Sequence, residues 1–264
     1  MASVSAAKTE IIRCEIRAIE ERENVVILYA CESGSRAWGF ESQDSDYDVR
    51  FIYQRPTDWY LSILSNRRDV IELPIDDELD INGWDVKKAL QLYLKSNPPL
   101  FEWLFSPIVY KQTGWLAKRL RDRSADFYNK IAARYHYRSM AVNNFHQFLT
   151  GNTIIRKKYL YVLRPLLAVN WIERGLGVVP TEFGRLLDQT VEDQDLRIEI
   201  NELVRMKKLG RETDSGAPIP KIHRFVESEI DRLDKLAKID THSKKNVEEL
   251  DKLFAELVLP PAVP

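Results

Sequence analysis

Between residues 8 and 23, Ile11, Ile12, Ile16 and Ile19 recur at helical spacing with charges between them, which predicts an amphipathic helix. The next run, NVVILYACES (24–33), is apolar and β-branched and predicts a buried strand. YDVRFIYQ (47–54) alternates as a second strand, and RRDVIELP (67–74) is a third, ended by Pro74. An acidic link, IDDE (75–78), leads into a fourth strand at LDINGW (79–84). DVKKALQLYLKS (85–96) then reads as a helix that opens at Asp85 and stops at Asn97-Pro98-Pro99. From about residue 111 the pattern changes to helical periodicity with no good strand run. Gly151, Gly175 and Gly177 suit helix ends, and Pro165 is expected to kink or break its helix. GRETDSGAPIP (210–220) reads as a loop, and amphipathic helices at 221–239 and 245–258 close the chain. The expected layout is an α/β front at 1–110 followed by an all-helical part at 111–264.

Composition narrows the function classes. At 264 residues, with 44% hydrophobic and 30% charged positions, the chain can bury a real core. Lys and Arg total 39 against 40 Asp and Glu, so nothing global marks a polyanion binder and any nucleic-acid role must be local. Cys14 and Cys31 are too few for a disulfide framework or a cysteine-rich zinc site. The N-terminus is charged throughout, and no apolar run approaches the ~20 residues that cross a bilayer. A soluble, cytoplasmic protein without a membrane partner is expected.

The stretch ESGSRAWGFESQDSDYDVRFIY (32–53) holds the candidate chemistry. On an extended strand, residues two apart share a face, so Asp46 and Asp48 are expected to point together. Two carboxylates on one face repel unless a cation lies between them, and Mg²⁺ with oxygen ligands is the usual answer. Gly34 lets another group approach the backbone, and Ser35 adds a hydroxyl and can start a short helix, a combination suited to phosphate. The acidic pair alone assigns nothing, since the same spacing recurs at Asp193/Asp195 and Glu227/Glu229, which read as solvated helix faces.

With its upstream turn, GSRAWGFESQDSDYD resembles the Gly-[Gly/Ser]…Asp-x-Asp signature of the DNA polymerase β-like nucleotidyltransferase superfamily. GSRAWGFESQDSDYDVRFIY, DINGWDVKKAL, SNPPLFEWLFSPIVY and KKYLYVLRPLLA are similar to the bacterial and phage YcgL/RlaP-type predicted nucleotidyltransferases, a group linked by genomic association to RNA repair. The likeness runs from about residue 25 to about 172 and fades beyond. It implies an α+β fold: a small mixed sheet flanked by helices as catalytic domain (1–110), then a helical domain (111–264) that closes over nucleotide and substrate. It implies a two-metal site for Mg²⁺ or Mn²⁺, with Asp46 and Asp48 holding both ions and a third carboxylate on a neighbouring strand. Asp80 is the choice, because it lies in a strand and shares a face with Asn82 and Trp84, whereas Asp76, Asp77 and Glu78 sit in the acidic link. Gly34 and Ser35 would hold the β/γ-phosphates of an NTP. Arg36 follows directly where many relatives have a small residue. It either binds triphosphate or pairs with Glu41 or Asp44. Trp38 reads as packing more than as a base-stacking platform.

In the helical part, Lys157, Tyr161 and Arg164 fall on one helix face with Lys158 beside them, either a nucleotide-binding set or a basic exposed face. His136 and Arg138 are candidate substrate contacts, although His136 and His146, ten apart, are a poor zinc pair. Between Lys111 and Arg138 there are eight Lys/Arg against two Asp, interleaved with Trp115, Phe127, Tyr128, Tyr135 and Tyr137. That mixture suits a single-stranded or tRNA-like RNA, or a helix whose aromatics face a core. The expected activity is metal-dependent transfer of an NMP from an NTP to a hydroxyl, most readily an RNA end, with pyrophosphate released. Nucleotidylation of a protein or small-molecule hydroxyl, or a non-catalytic NTP/RNA-binding module, are the alternatives.

Overall fold

The computed structural model describes residues 4–63, 68–75, 78–210, 215–235 and 247–259, and it divides into two compact units. The first comprises Met1–Ala37, Asp46–Tyr128 and Ser243–Pro264; the second comprises Trp38–Ser45 and Asn129–His242. The rivals Asp76 and Asp77 fall outside the described residues, as do parts of the 210–220 loop and of the two closing segments.

The first unit opens with α1 (Ala6–Glu23), whose Ser5 side chain accepts the Lys8 N–H as an N-cap. Ile12, Ile16 and Ile19 form its buried stripe while Ile11 is half exposed, so the helical period was read correctly and one of its four members faces solvent. Then come β1 (Val26–Glu32), α2 (Gly34–Trp38), β2 (Tyr47–Gln54), α3 (Thr57–Tyr60), β3 (Val70–Glu72) and β4 (Leu79–Asp85). α4 (Val86–Leu94) is capped by Asp85, and Asn97 does more than stop it, because its side chain caps α5 (Pro98–Leu104), with proline tolerated in the first turn. β5 (Val109–Gln112), α6 (Leu116–Asp122) and α7 (Ser124–Phe127) complete this stretch.

The strands form one mixed sheet in the order β3-β4-β2-β1-β5, with β2 and β4 parallel and the other neighbours antiparallel. Val49, Phe51 and Tyr53 of β2 and Ile81 of β4 pack on one face with the α1 isoleucines. Each such side chain, fully buried, contributes about 1.5–3 kcal/mol. The first unit runs on past residue 110 because α6 and α7 pack into it. The Tyr93 hydroxyl donates to the Leu120 carbonyl, and the Tyr93 ring packs near Phe127.

The second unit contains α8 (Lys130–Phe148), β6 (Ile154–Ile155), α9 (Lys158–Glu173), α10 (Phe183–Thr190), α11 (Gln194–Lys208), β7 (Ser215–Gly216) and α12 (Pro220–Asp234). β6 and β7 form a two-residue ladder, a strand feature that the helical periodicity did not predict. The last helix, α13 (Val247–Val258), belongs to the first unit. There the Gln54 side chain donates to the Leu257 carbonyl and Phe254 packs edge-on against Tyr60.

α9 is apolar nearly all round and buried from Tyr159 to Ile172, apart from half-buried Tyr161 and Asn170. It runs on through Pro165, so of the expected kink or break the break does not occur. Proline removes the hydrogen bond to the carbonyl four residues back, which is that of Tyr161. The Asn144 side-chain amide of α8 donates to that carbonyl at 2.9 Å, replacing the missing partner. Asn144→Leu, which keeps size but removes the donor, is expected to lower stability by about 1 kcal/mol, readable as a lower thermal midpoint. An unchanged midpoint would show that this bond does not hold α9 together.

Candidate active site

The site lies in the first unit, where β1, α2, β2 and β4 meet. Gly34 opens α2 at φ +58°, and a Cβ on it would stand 1.9 Å from Asp48 Oδ2, so only glycine fits here. The first-turn N–H groups of a helix have no intrahelical acceptor, and α2 presents its first turn beside this carboxylate. Gly34→Ala is expected to strain the turn by about 1–2 kcal/mol and to displace the Asp48 side chain.

Asp48 pairs in register with Asp80 across the parallel β2–β4 ladder, which sets both carboxylates on the same face. Asp46 stands just ahead of β2 rather than on it, so the expectation that it shares a strand face with Asp48 does not hold as stated. Its carbonyl accepts from Arg36 Nε at 3.1 Å, and the Arg36 guanidinium lies over the Tyr47 ring at 3.7 Å. Arg36 is buried and braces the segment that carries Asp46.

Two side chains not singled out in the sequence complete the geometry. Arg50 Nη2 donates to Asp48 Oδ1 at 2.9 Å and to Asp80 Oδ2 at 2.7 Å. Its Nη1 donates to the carbonyls of Asp80 at 2.7 Å and Val49 at 3.1 Å. The signal for Arg50 was present, since it lies two residues beyond Asp48 on an alternating strand. Glu32, fully buried at the end of β1, accepts the Asp48 N–H at 2.9 Å and the Tyr110 hydroxyl. A charged residue closing an otherwise apolar strand was its only mark in the sequence.

Burial pushes the Asp48 carboxyl up, opposed by Arg50 and reinforced by repulsion from Asp80 and Asp46. Asp48 thus feels the charge of Asp80 beside it and of Asp46 just ahead of its strand. Burial also pushes Glu32 up, to about 7, against the hydrogen bonds from Tyr110 and the Asp48 N–H. The donor chemistry here, carboxylate oxygens beside the Gly34-Ser35 turn, is of the oxygen type that a hard divalent cation such as Mg²⁺ takes. The arrangement is not a ready-made three-ligand clamp. Among the described residues no three His, Cys, Asp or Glu side chains converge closely enough to hold a metal, and the Arg50 guanidinium supplies the positive charge between Asp48 and Asp80.

The remaining candidates lie in the second unit. Arg164 is buried, lies over the Trp38 ring at 4.6 Å and donates to the Thr181 carbonyl, while Lys157, Lys158 and Tyr161 are half-buried. Tyr161 packs edge-on to Trp38 and Phe40, which makes Trp38 core packing of this unit. Lys158 Nζ sits over the rings of Phe148 and Tyr161, and Lys157 lines a cavity with Leu203, Met206 and Pro218. Arg138 is spent on the Leu233 carbonyl and Asp234, whereas His136 is exposed on α8.

Many cations of the stretch from Lys111 to Arg138 have acidic partners within their own unit, several of them in exposed surface pairs. Lys111 pairs with Glu20, Lys118 with Asp122, Arg119 with Glu256, Arg123 with Asp126 and Glu249, and Arg134 with Glu173. Tyr137 is buried, and Phe127 and Tyr128 pack against Tyr93 and Phe101. Among the described residues no helix is long and apolar enough to cross a membrane.

The Glu32 shift carries a pH dependence. A carboxyl whose folded pKa is raised from 4.5 to about 7 favours the folded state when protonated. That stability is present below pH ~4.5 and is lost as pH rises to ~7, a fall of about 3 kcal/mol. Glu32→Gln mimics the protonated form and is expected to flatten this fall, gaining on the wild type in denaturant melts at pH 8 but not at pH 4.5. Equal differences at both pH values would refute it.

Residues 9–256 match the model of a family described as RlaP: RNA repair pathway DNA polymerase beta family. The uncharacterized protein YcgL of Bacillus subtilis (strain 168) is 46% identical over 245 residues, covering 92% of this chain and 94% of that protein. A nucleotidyltransferase-like protein from Exiguobacterium sibiricum 255-15, of known structure, is similar at 10% identity and a TM-score of 0.32. That likeness covers 91% of this chain and 86% of the other.

Proposed function

Since this chain belongs to the RlaP family, the RNA repair pathway DNA polymerase beta family, and is a nucleotidyltransferase of that type, we propose that it transfers an NMP from an NTP to a hydroxyl at an RNA end. The observation that carries the reading is the β2–β4 register, which sets Asp48 opposite Asp80 beside the Gly34-Ser35 turn. In this reading Gly34 and Ser35 receive the terminal phosphates of the NTP on backbone N–H groups and a hydroxyl. The attacking hydroxyl oxygen bonds to the α-phosphorus as the bond to pyrophosphate breaks, and Asp80 accepts the hydroxyl proton. Asp48 and Asp80 would offer oxygens to Mg²⁺ or Mn²⁺, with Asp46 joining them only if its segment closes on the pair; the ion, when bound, neutralises charge on the phosphates and lowers the pKa of the attacking hydroxyl. The RNA acceptor rests on the family's pathway.

The test presents each labelled NTP, with Mg²⁺ or Mn²⁺, to the protein together with total cellular RNA and total cellular protein. Label is expected in the RNA fraction; label confined to protein or to small molecules would move the acceptor to another class. Asp48→Asn is expected to abolish labelling by about a hundredfold or more while the thermal midpoint holds or rises, because the fold disfavours the ionised form that it removes. A collapsed midpoint would mark Asp48 as structural instead.

A further inference from the structure

We infer that Arg50 is a resident cation of the carboxylate site, one that a divalent metal must displace in order to bind; the inference rests on the reading of Asp48 and Asp80 as metal ligands. Arg50 puts one nitrogen, Nη2, between the two carboxylates and anchors the other, Nη1, on two strand carbonyls. The two carboxylates thus share one donor nitrogen and are charge-compensated by it. The Arg50 side chain is 17% exposed and those of Asp48 and Asp80 are 26% and 30%, so this is a partly desolvated pair of contacts and not a loose surface bridge.

A guanidinium is always charged, so it does not leave by losing a proton. A metal that takes Asp48 Oδ1 and Asp80 Oδ2 must take them from Arg50, and two cations cannot share those oxygens without strong repulsion. Arg50 therefore lowers metal affinity while it stabilises the unloaded site. Once displaced, its charge lies on the strand face that carries both carboxylates, where it suits a phosphate oxygen of an incoming nucleotide. Loading the metal and freeing a phosphate-binding arginine would then be one coupled event.

This role makes a prediction opposite to that of a merely structural arginine. Mn²⁺ binding by the full-length protein, measured by calorimetry or electron paramagnetic resonance without nucleotide, is expected to be roughly tenfold or more tighter in Arg50→Gln than in the wild type. Arg50→Lys, which keeps the charge, is expected to stay close to the wild type. Without metal, Arg50→Gln is expected to melt below the wild type, and saturating Mn²⁺ is expected to close the gap. Equal or weaker Mn²⁺ binding in Arg50→Gln, with binding still abolished by Asp48→Asn, would overturn the role of Arg50 and leave the metal reading standing. Absence of Mn²⁺ binding in every form would overturn both. Should Arg50→Gln fail to fold, nitrogen-15 resonances of arginine side chains in the wild type decide. The Arg50 signal, identified by its loss in Arg50→Lys, is expected to move on adding Mg²⁺, and a fixed signal would refute displacement.

Discussion

Parallel pairing of β2 with β4 is the constraint on which the site depends. Neighbouring strands lie about 4.8 Å apart, so the 48↔80 register brings two carboxylates side by side. What holds the register is the opposite face, where Val49, Phe51, Tyr53 and Ile81 are buried against α1. A slip of one residue would turn these side chains to solvent and the carboxylates into the core. Hydrophobic burial on one side of the sheet thus enforces an electrostatically unfavourable arrangement on the other. The Glu32 carboxylate at the end of β1, accepting the Asp48 N–H, and the Ser33 N–H just beyond it, donating to the Asp48 carbonyl, fix the same residue.

The repulsion so created is managed locally. Arg50 on β2 compensates Asp48 and Asp80, and Arg36 lies against Tyr47 and the Asp46 carbonyl. Glu32 is the exception, a buried acid held by Tyr110 and a backbone amide, with burial driving its pKa to about 7. Burial raises both Glu32 and Asp48 at the place where β1, α2 and β2 meet, and perturbed carboxyls of this kind gather at functional sites.

Between Gly34-Ser35 and Asp48 the chain leaves the first unit. Residues Trp38–Ser45 belong to the second, where Phe40 packs against Phe183 and Tyr161, and Trp38 lies under Arg164. The connector between the two signature elements is therefore a core segment of the helical unit, which accounts for its Trp and Phe in an otherwise polar run.

Much of this was open to a reader of the bare chain. Short-range rules sufficed for the α1 isoleucine stripe, for β1, β2, β3 and β4, and for the helix at Gly34-Ser35, because each depends on residues a few positions apart. The Asp48–Asp80 pairing followed from family likeness, and Arg50 was legible from strand alternation alone, though it went unread. Other features depend on partners distant in the chain, which no local pattern encodes. Asn144 supplies a donor to the carbonyl that Pro165 leaves unpaired, α13 returns to the first unit, and Lys111 and Arg119 pair with acids as remote as Glu20 and Glu256. Spacing along the chain set which side chains share a face; folding alone set what each face meets, since burial and ion pairing are settled between segments rather than within them.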